Sequence, residues 1–267
     1  MAILTVSREF GSGGQEIGRA AAGQLGYAYV DEDTILADLR RDGAGWEKWF
    51  RDLDEHCPTV WERYDWSFRG FAALVQLHIL EHAHADNAVI MGRGGNFLLS
   101  GVPHAYRIRV EAPLDVRIER IMRRESVDKE TARWLCERTD NERSCFLQII
   151  YGRRWDDAAE YDKVYTMNSP AVDDVVEEVK AALIDLRKKY TEEARKLIEM
   201  RVLAAKVKAG IATNPRFFIP ILDVFTEGGA VVLRGVTHTP KEHKQIEEAA
   251  RALAGGMPVR CELHYRK

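Results

Sequence analysis

Apolar residues along the first two thirds of the chain fall into two rhythms. Short continuous runs at residues 3–6, 27–30, 88–91, 106–110 and 164–167 read as buried strands. Between them, apolar positions recur at helical spacing. Ile17, Ala21 and Leu25 repeat every fourth residue, and Gly26 ends that helix. A later helix starts after Pro113, with Leu114, Ile118, Ile121 and Met122 on one stripe and Asp115 in its first turn. Strands alternating with helices predict an α/β fold, a parallel sheet covered by helices.

Past residue 172 the pattern changes. Val175, Val179, Leu183 and Leu186 form one more helical stripe. The basic residues then switch from mostly arginine over 107–154 to mostly lysine over 180–208. We place a boundary near residues 188–193, giving two units, 1–190 and 191–267. The second reads as a helix to about residue 212 and a break at Asn214-Pro215. A strand at 218–225, a Gly228-Gly229 turn, a strand at 230–236, a helix at 240–253 and a strand at 259–264 follow. This is a compact α-β-β-α-β unit, expected to fold by itself and to leave nucleotide binding to the first unit.

Composition narrows the function. Of 267 residues, 46% are apolar, enough for a substantial core, and the net charge is only −3, so the basic excess of a nucleic-acid binder is missing. No stretch has the 18 consecutive apolar residues of a membrane span. The four cysteines form no CxxC pair, and the start MAILTVSREF has no basic leader before an apolar core. Free thiols without an export signal predict a cytoplasmic protein.

The stretch SREFGSGGQEIG, residues 7–18, joins the first strand to the first helix. A glycine-rich turn between strand and helix exposes successive backbone N–H groups, and the helix N-terminus adds its dipole, so the turn is an anion site. Against the fingerprint G-x-x-x-x-G-K-[ST], Gly13 takes the second glycine, Arg8 the first, Gly14 the lysine and Gln15 the Ser/Thr. Arg8, Gly11, Ser12, Gly13, Gly14 and Gln15 are the candidate nucleotide-binding residues. The spacing by itself equally describes a glycine-rich connector.

Further motifs follow in order: YAYVDED, AVIMGRGGNFLL, LDVRIERIMRRE, TARWLCERTDNERSCFLQIIYGRRWDD and EYDKVYTMNS. Together with REFGSGGQEIG they resemble the cytidylate kinase-like family, a branch of the P-loop nucleoside monophosphate kinases, over about residues 1–187. The resemblance implies a P-loop kinase-like five-stranded parallel sheet with helices on both faces and a helical, arginine-bearing lid. It also implies an ATP site at the glycine loop and a phosphate acceptor, such as a nucleoside monophosphate, opposite. In this branch a lysine-less loop of the REFGSGG type is usual.

Phosphoryl transfer is catalysed by positioning and by positive charge around the moving phosphoryl. Without the lysine, arginine is the natural substitute, because its fork grips phosphate bidentately. Arg8 is the favoured replacement over Arg19; its other reading is a structural pair with Glu9. By resemblance, Arg93 matches the Arg of a G-R-D motif that meets the acceptor phosphate, with Gly94 in place of the motif's Asp. Arg138, Asp140 and Arg143 match the lid and are the catalytic candidates; the alternative is an exposed helix laced with ion pairs. Asp31 ends the second strand at the mouth where open α/β sheets bind ligands, as a candidate for the acceptor or a hydrated Mg²⁺. Mg²⁺ would bridge the phosphates, with Glu16 and Asp31 its candidate ligands. The aromatic-rich span 46–68 reads as the core of a small helical cap or a stacking surface for a base.

The tail, with VVLRGVTHTPKEHKQIEEAARAL and the final VRCELHY, resembles the BON domain over about residues 194–267. That implies attachment to a phospholipid surface or a protein partner; the plain reading is an accessory domain covering the first. The expected function is an ATP-dependent phosphotransferase with a BON-like module. The alternatives are a nucleotide-binding sensor without catalysis and a membrane-surface adaptor.

Overall fold

The structure, a computed structural model, describes residues 1–43, 45, 46, 49, 57–168 and 172–265. The first unit is built on strands β1 (Ile3–Arg8), β2 (Ala28–Val30), β3 (Ala88–Met91), β4 (Ala105–Glu111) and β5 (Lys163–Thr166). All pair in parallel, in the order β2-β3-β1-β4-β5. β1 and β3 are buried almost throughout, as continuous apolar runs in a parallel sheet require. The expected strands and the parallel sheet are therefore present, with ends shifted by one or two residues.

Helices α1 (Gly14–Leu25) and α2 (Glu32–Asp42) follow the first two strands. α3 (Val60–Tyr64) and α4 (Trp66–His84) lead to β3, and the short α5 (Gly95–Leu98) leaves it. α6 (Leu114–Glu125) and the 23-residue α7 (Lys129–Tyr151) form an antiparallel pair over the end of the sheet; α8 (Val172–Leu186) closes the first unit. Helices cover both faces. Ile17, Ala21 and Val179 pack with Leu4 and Val6 on one side, Phe71 and Leu74 with Ile3 and Ile90 on the other.

In the 46–68 span, Trp49 and Phe68 join the core, and Trp49 Nε1 donates to Ser67 Oγ at 2.8 Å. Trp61 stands 85% exposed. Phe50 lies outside the described residues.

The second sheet holds β6 (Leu222–Glu227), β7 (Ala230–Thr237) and β8 (Val259–Tyr265), with β6-β7 antiparallel and β7-β8 parallel. Gly228 and Gly229 both take positive φ in the hairpin turn. α10 (Pro240–Leu253) covers this sheet. The strand expected at 218–225 begins only at Leu222, because Pro220 has no N–H for a ladder.

Helix α9 (Glu192–Ala212) belongs to both units. Ile198, Ala205 and Ala209 enter the core with α4, whereas Ala204, Val207 and Ile211 pack beneath the second sheet. Among the described residues, no helix is long and apolar enough to cross a membrane.

Candidate active site

β1 ends at Arg8, and the chain turns through residues 9–13 into α1. Gly11 and Gly13 hold φ of 79° and 96°, a backbone region that side chains disfavour; Gly13 caps α1 without any side-chain help. The turn therefore aims its amides and the positive end of α1 at one point.

The position of the missing lysine has a steric cause. A Cβ at Gly14 would sit 2.5 Å from Arg8 Cβ and 3.2 Å from Val110 Cβ. The stem of Arg8 fills the space from which a lysine would start. Its guanidinium runs on toward the β3 side, against Gly92.

Three arginines meet there. Arg8, Arg93 and Arg143 line one cavity of about 40 Å³ with Ser7, Gly92, Gly94 and Asn96. Arg143 reaches it from α7, donates to the Arg8 carbonyl at 3.3 Å and lies over the Phe10 ring. Arg93 has φ of 54°, and its carbonyl accepts from Tyr151 Oη at 2.7 Å. The Tyr151 ring also accounts for Gly94, since a Cβ there would come within 2.8 Å of Oη and nearer still to the ring. An aspartate has no room. Burial pushes the Tyr151 hydroxyl's pKa far up, so it remains a donor.

The lid candidates separate. Arg143 faces the loop. Asp140 is partly buried: its Oδ1 accepts from Phe10 N at 2.8 Å and its Oδ2 from Arg117 Nη1 at 2.6 Å. Asp140 thus fastens the lid helix to the glycine loop. Arg138 is half exposed, pairs with Glu142 at 3.7 Å and lies over Trp134.

Several residues of this site escaped the sequence reading. Glu9 pairs with Arg117 at 3.4 Å and Arg109 at 3.6 Å, and accepts from Ala112 N at 3.1 Å. Burial raises its pKa, against the Ala112 N–H and Arg117, which lower it. Arg117 also donates to the carbonyls of Phe10 and Ala112. Arg120, one turn further along α6, donates to Ser12 O at 2.6 Å and Gly11 O at 3.3 Å. Two arginines at i and i+3 on the face of α6 turned to the loop thus satisfy its carbonyls. That spacing was visible in LDVRIERIMRRE. Asn96 Nδ2 is buried in the cavity without a hydrogen-bond partner among the described residues, and Ser12 Oγ in the loop is likewise unpartnered.

Asp31 is the N-cap of α2. Its Oδ1 accepts from Thr34 N at 3.2 Å, and its Oδ2 lies 4.0 Å from Arg19. Gln15 and Glu16 are exposed on the first turn of α1. No cluster of three or more His, Cys, Asp or Glu side chains able to hold a metal occurs among the described residues.

Two of the four cysteines depart from expectation. Cys57 and Cys145 form a disulfide that ties the segment before α3 to α7, two residues beyond Arg143. The Cys57 amide also donates to Glu142. Cys136 and Cys261 are free. The bonded pair is 88 residues apart, so spacing along the chain gave no sign of it. The thiols consequently carry no argument about compartment.

The model of the cytidylate kinase-like family matches residues 3–169, well over half of the chain. The chain belongs to the cytidylate kinase-like family. The BON domain model matches residues 201–267 of this family member, so the tail is a BON module. A cytidylate kinase of Methanocaldococcus jannaschii is 26% identical over 189 residues, 70% of this chain and 99% of that one. One from Pyrococcus furiosus is 27% identical over 182 residues, 68% and 88% of the two chains. An uncharacterized protein from Eubacterium ventriosum shares the fold at TM-score 0.55 and 20% identity, over 69% of this chain and 99% of that one. The first unit is thus a nucleotide kinase-like fold, as the motif order implied.

Proposed function

We propose that this protein transfers the terminal phosphoryl group of ATP to a small acceptor, and that a nucleoside monophosphate is the first acceptor to test. The chain divides functionally into a catalytic unit, 1–190, and a BON module, 191–267, with α9 shared. The observation that carries the reading is the meeting of Arg8, Arg93, Arg143 and the unpartnered Asn96 Nδ2 at the open side of the glycine loop. Three cations and the Asn96 amide, from four elements, converge where charge would develop on a moving phosphoryl. Among the described residues no acid lines that cavity.

In this scheme the amides of Gly11, Gly13 and Gly14 hold the phosphates. Arg8 supplies the charge that the absent lysine would have carried. Arg93 takes the acceptor side, and Arg143 closes on the transferred group. Asp140, Arg117 and Arg120 act through the loop rather than on substrate. The protein's donor set suits a magnesium ion carried in on the nucleotide and largely hydrated. Asp31 and Glu16 are the carboxylates that would face its water shell, and the ion would supply positive charge to the phosphates. Use of ATP puts the protein in the cytoplasm. The BON module is left as a docking unit for a membrane surface or a protein.

A nucleotide sensor without transfer is the second reading. It is favoured by the size of the cavity, about 40 Å³ against roughly 300–1,000 Å³ for ordinary ligand sites. Lid movement during turnover removes the objection. The test is calorimetry with Mg²⁺-ATP, followed by ADP release with CMP, dCMP, UMP and AMP. Binding that is lost in Gly13→Val, with ADP release above the ATPase background for one acceptor, supports the kinase. Binding without transfer supports the sensor. Absence of binding rejects both.

A further inference from the structure

A second, roomier cavity lies away from the glycine loop. It measures about 610 Å³ and is walled by α4, the end of α7, α9 and the stretch before β6. It therefore opens where the two units meet. Its volume is that of a typical small-molecule site.

Its lining is chemically lopsided. Most of the wall is apolar, including Trp66 and Phe217. Among the described residues, the charged ones in the lining are Lys208, Arg63 and Arg69, without an aspartate or glutamate. Both arginines are partly engaged with backbone: Arg63 Nε donates to Pro58 O at 3.2 Å, and Arg69 Nη1 to Ile219 O at 2.8 Å. Lys208 has three hydrogens to donate. The hydrogen bond it makes is to the neutral Gln76 Oε1, at 3.1 Å. Asp223 is the acid whose charge it feels, and burial outweighs that influence, lowering the ammonium's pKa. Lys208 is half-buried in this wall, and an ammonium there with a neutral partner gains from a joining anion.

We propose that this cavity binds an amphipathic small molecule with an apolar body and a single anionic head, carboxylate or phosphate, seated on Lys208. The apolar wall takes the body by surface burial. The head gains a charge-assisted hydrogen bond from the ammonium. The proposal does not depend on phosphoryl transfer by the first unit.

The experiment is calorimetry on the full chain with four probes below their micelle concentrations: decanoate, decyl phosphate, decanol and decyltrimethylammonium. Both anions are expected to bind one per chain, decanol at least tenfold more weakly, and the cation not at all. The tighter of the two anions identifies the head group. Lys208→Met should weaken both anions at least tenfold, equivalent to about 1.4 kcal/mol, and leave decanol unchanged. Ala72→Phe, which fills the cavity from α4, should abolish binding of all probes while circular dichroism shows the native fold. Equal affinity for decanol and decanoate would overturn the proposal, as would binding in the Ala72→Phe protein. Displacement of decanoate by CMP would make the cavity part of a nucleotide site and overturn it too. These comparisons among probes hold on the unmutated protein even if a variant fails to fold.

Discussion

Restoring the lysine of the phosphate loop should damage this protein. In Gly14→Lys the new Cβ lies 2.5 Å from Arg8 Cβ and 3.2 Å from both Arg8 Cγ and Val110 Cβ. Neither neighbour can yield easily: Val110 is fully buried on β4, and Arg8 ends β1. Overpacking of this kind costs about 1–3 kcal/mol. Replacing glycine in a helix returns at most about 1 kcal/mol. With that return the net loss is up to about 2 kcal/mol, which for a unit of this size lowers Tm by up to roughly 8 °C. ATP binding should fall as well, because the strain acts on the turn that presents the amides. Removing the opposing side chain should relieve it. Arg8→Gly combined with Gly14→Lys is expected to melt higher than the sum of the single changes predicts, a coupling measurable in a double-mutant cycle. Thermal melts and calorimetry with Mg²⁺-ATP read both effects. A Gly14→Lys protein that melts like the parent and binds ATP more tightly would refute the steric account, and with it the idea that Arg8 occupies the lysine's place.

Three further outcomes follow from named contacts. Asp140→Asn keeps an acceptor for Phe10 N but removes the charge facing Arg117 at 2.6 Å, so melting should show a loss of about 1–3 kcal/mol with only a minor change in turnover; a hundredfold fall in kcat at unchanged Tm would make Asp140 catalytic instead. Burial lowers the pKa of Lys208 below 10.5, so the folded chain holds fewer protons than the unfolded chain in the window just below that value, and stability rises with pH there. Urea denaturation across that window should show the rise in the parent and none in Lys208→Met. A chain ending at residue 190 loses α9 and bares the face of α4 that Ile198, Ala205 and Ala209 cover, so it should aggregate or melt well below a chain ending at residue 213; equal solubility and Tm for the two would show that α9 is dispensable to the first unit.

The sheet was legible because its strands are short apolar runs between amphipathic helices, and that pattern has few other solutions. Motif order then fixed the family, and the loop's place followed from strand, glycines and helix. What the sequence withheld were pairings set by the fold. Glu9 lies next to Arg8 in the chain, yet it pairs with Arg109 and Arg117, a hundred or more positions away. Gly94 looked like a lost aspartate, but the reason for it is the ring of Tyr151 on another helix. Lys208 looked like one lysine in a basic helix; only the meeting of α4 and α9 buries it. The change from arginine to lysine near residue 190 marked a real change of composition, but α9, just beyond it, serves both cores.

One helix borders both cavities. α7 sends Arg143, Phe146 and Leu147 to the arginine cavity and Gln148, Ile149 and Ile150 to the larger one, and it ends at Tyr151, whose hydroxyl holds the Arg93 carbonyl. The arginine cavity, at about 40 Å³, is small for a ligand site, so the proposed transfer would have α7 shift away from the loop and return. α7 is one continuous helix, capped by Asp128 and by Gly152. Any displacement that widens the arginine cavity therefore moves the wall formed by Gln148, Ile149 and Ile150 relative to α4 and α9. The disulfide at Cys145 adds a fixed tether on the same helix, so α7 is constrained near its middle and at its C-terminal end. An occupant of the larger cavity fills the space into which that wall can move. Under the two proposals above, such a molecule would bear on the movement of the lid, because α7 borders both cavities and α9 joins both cores.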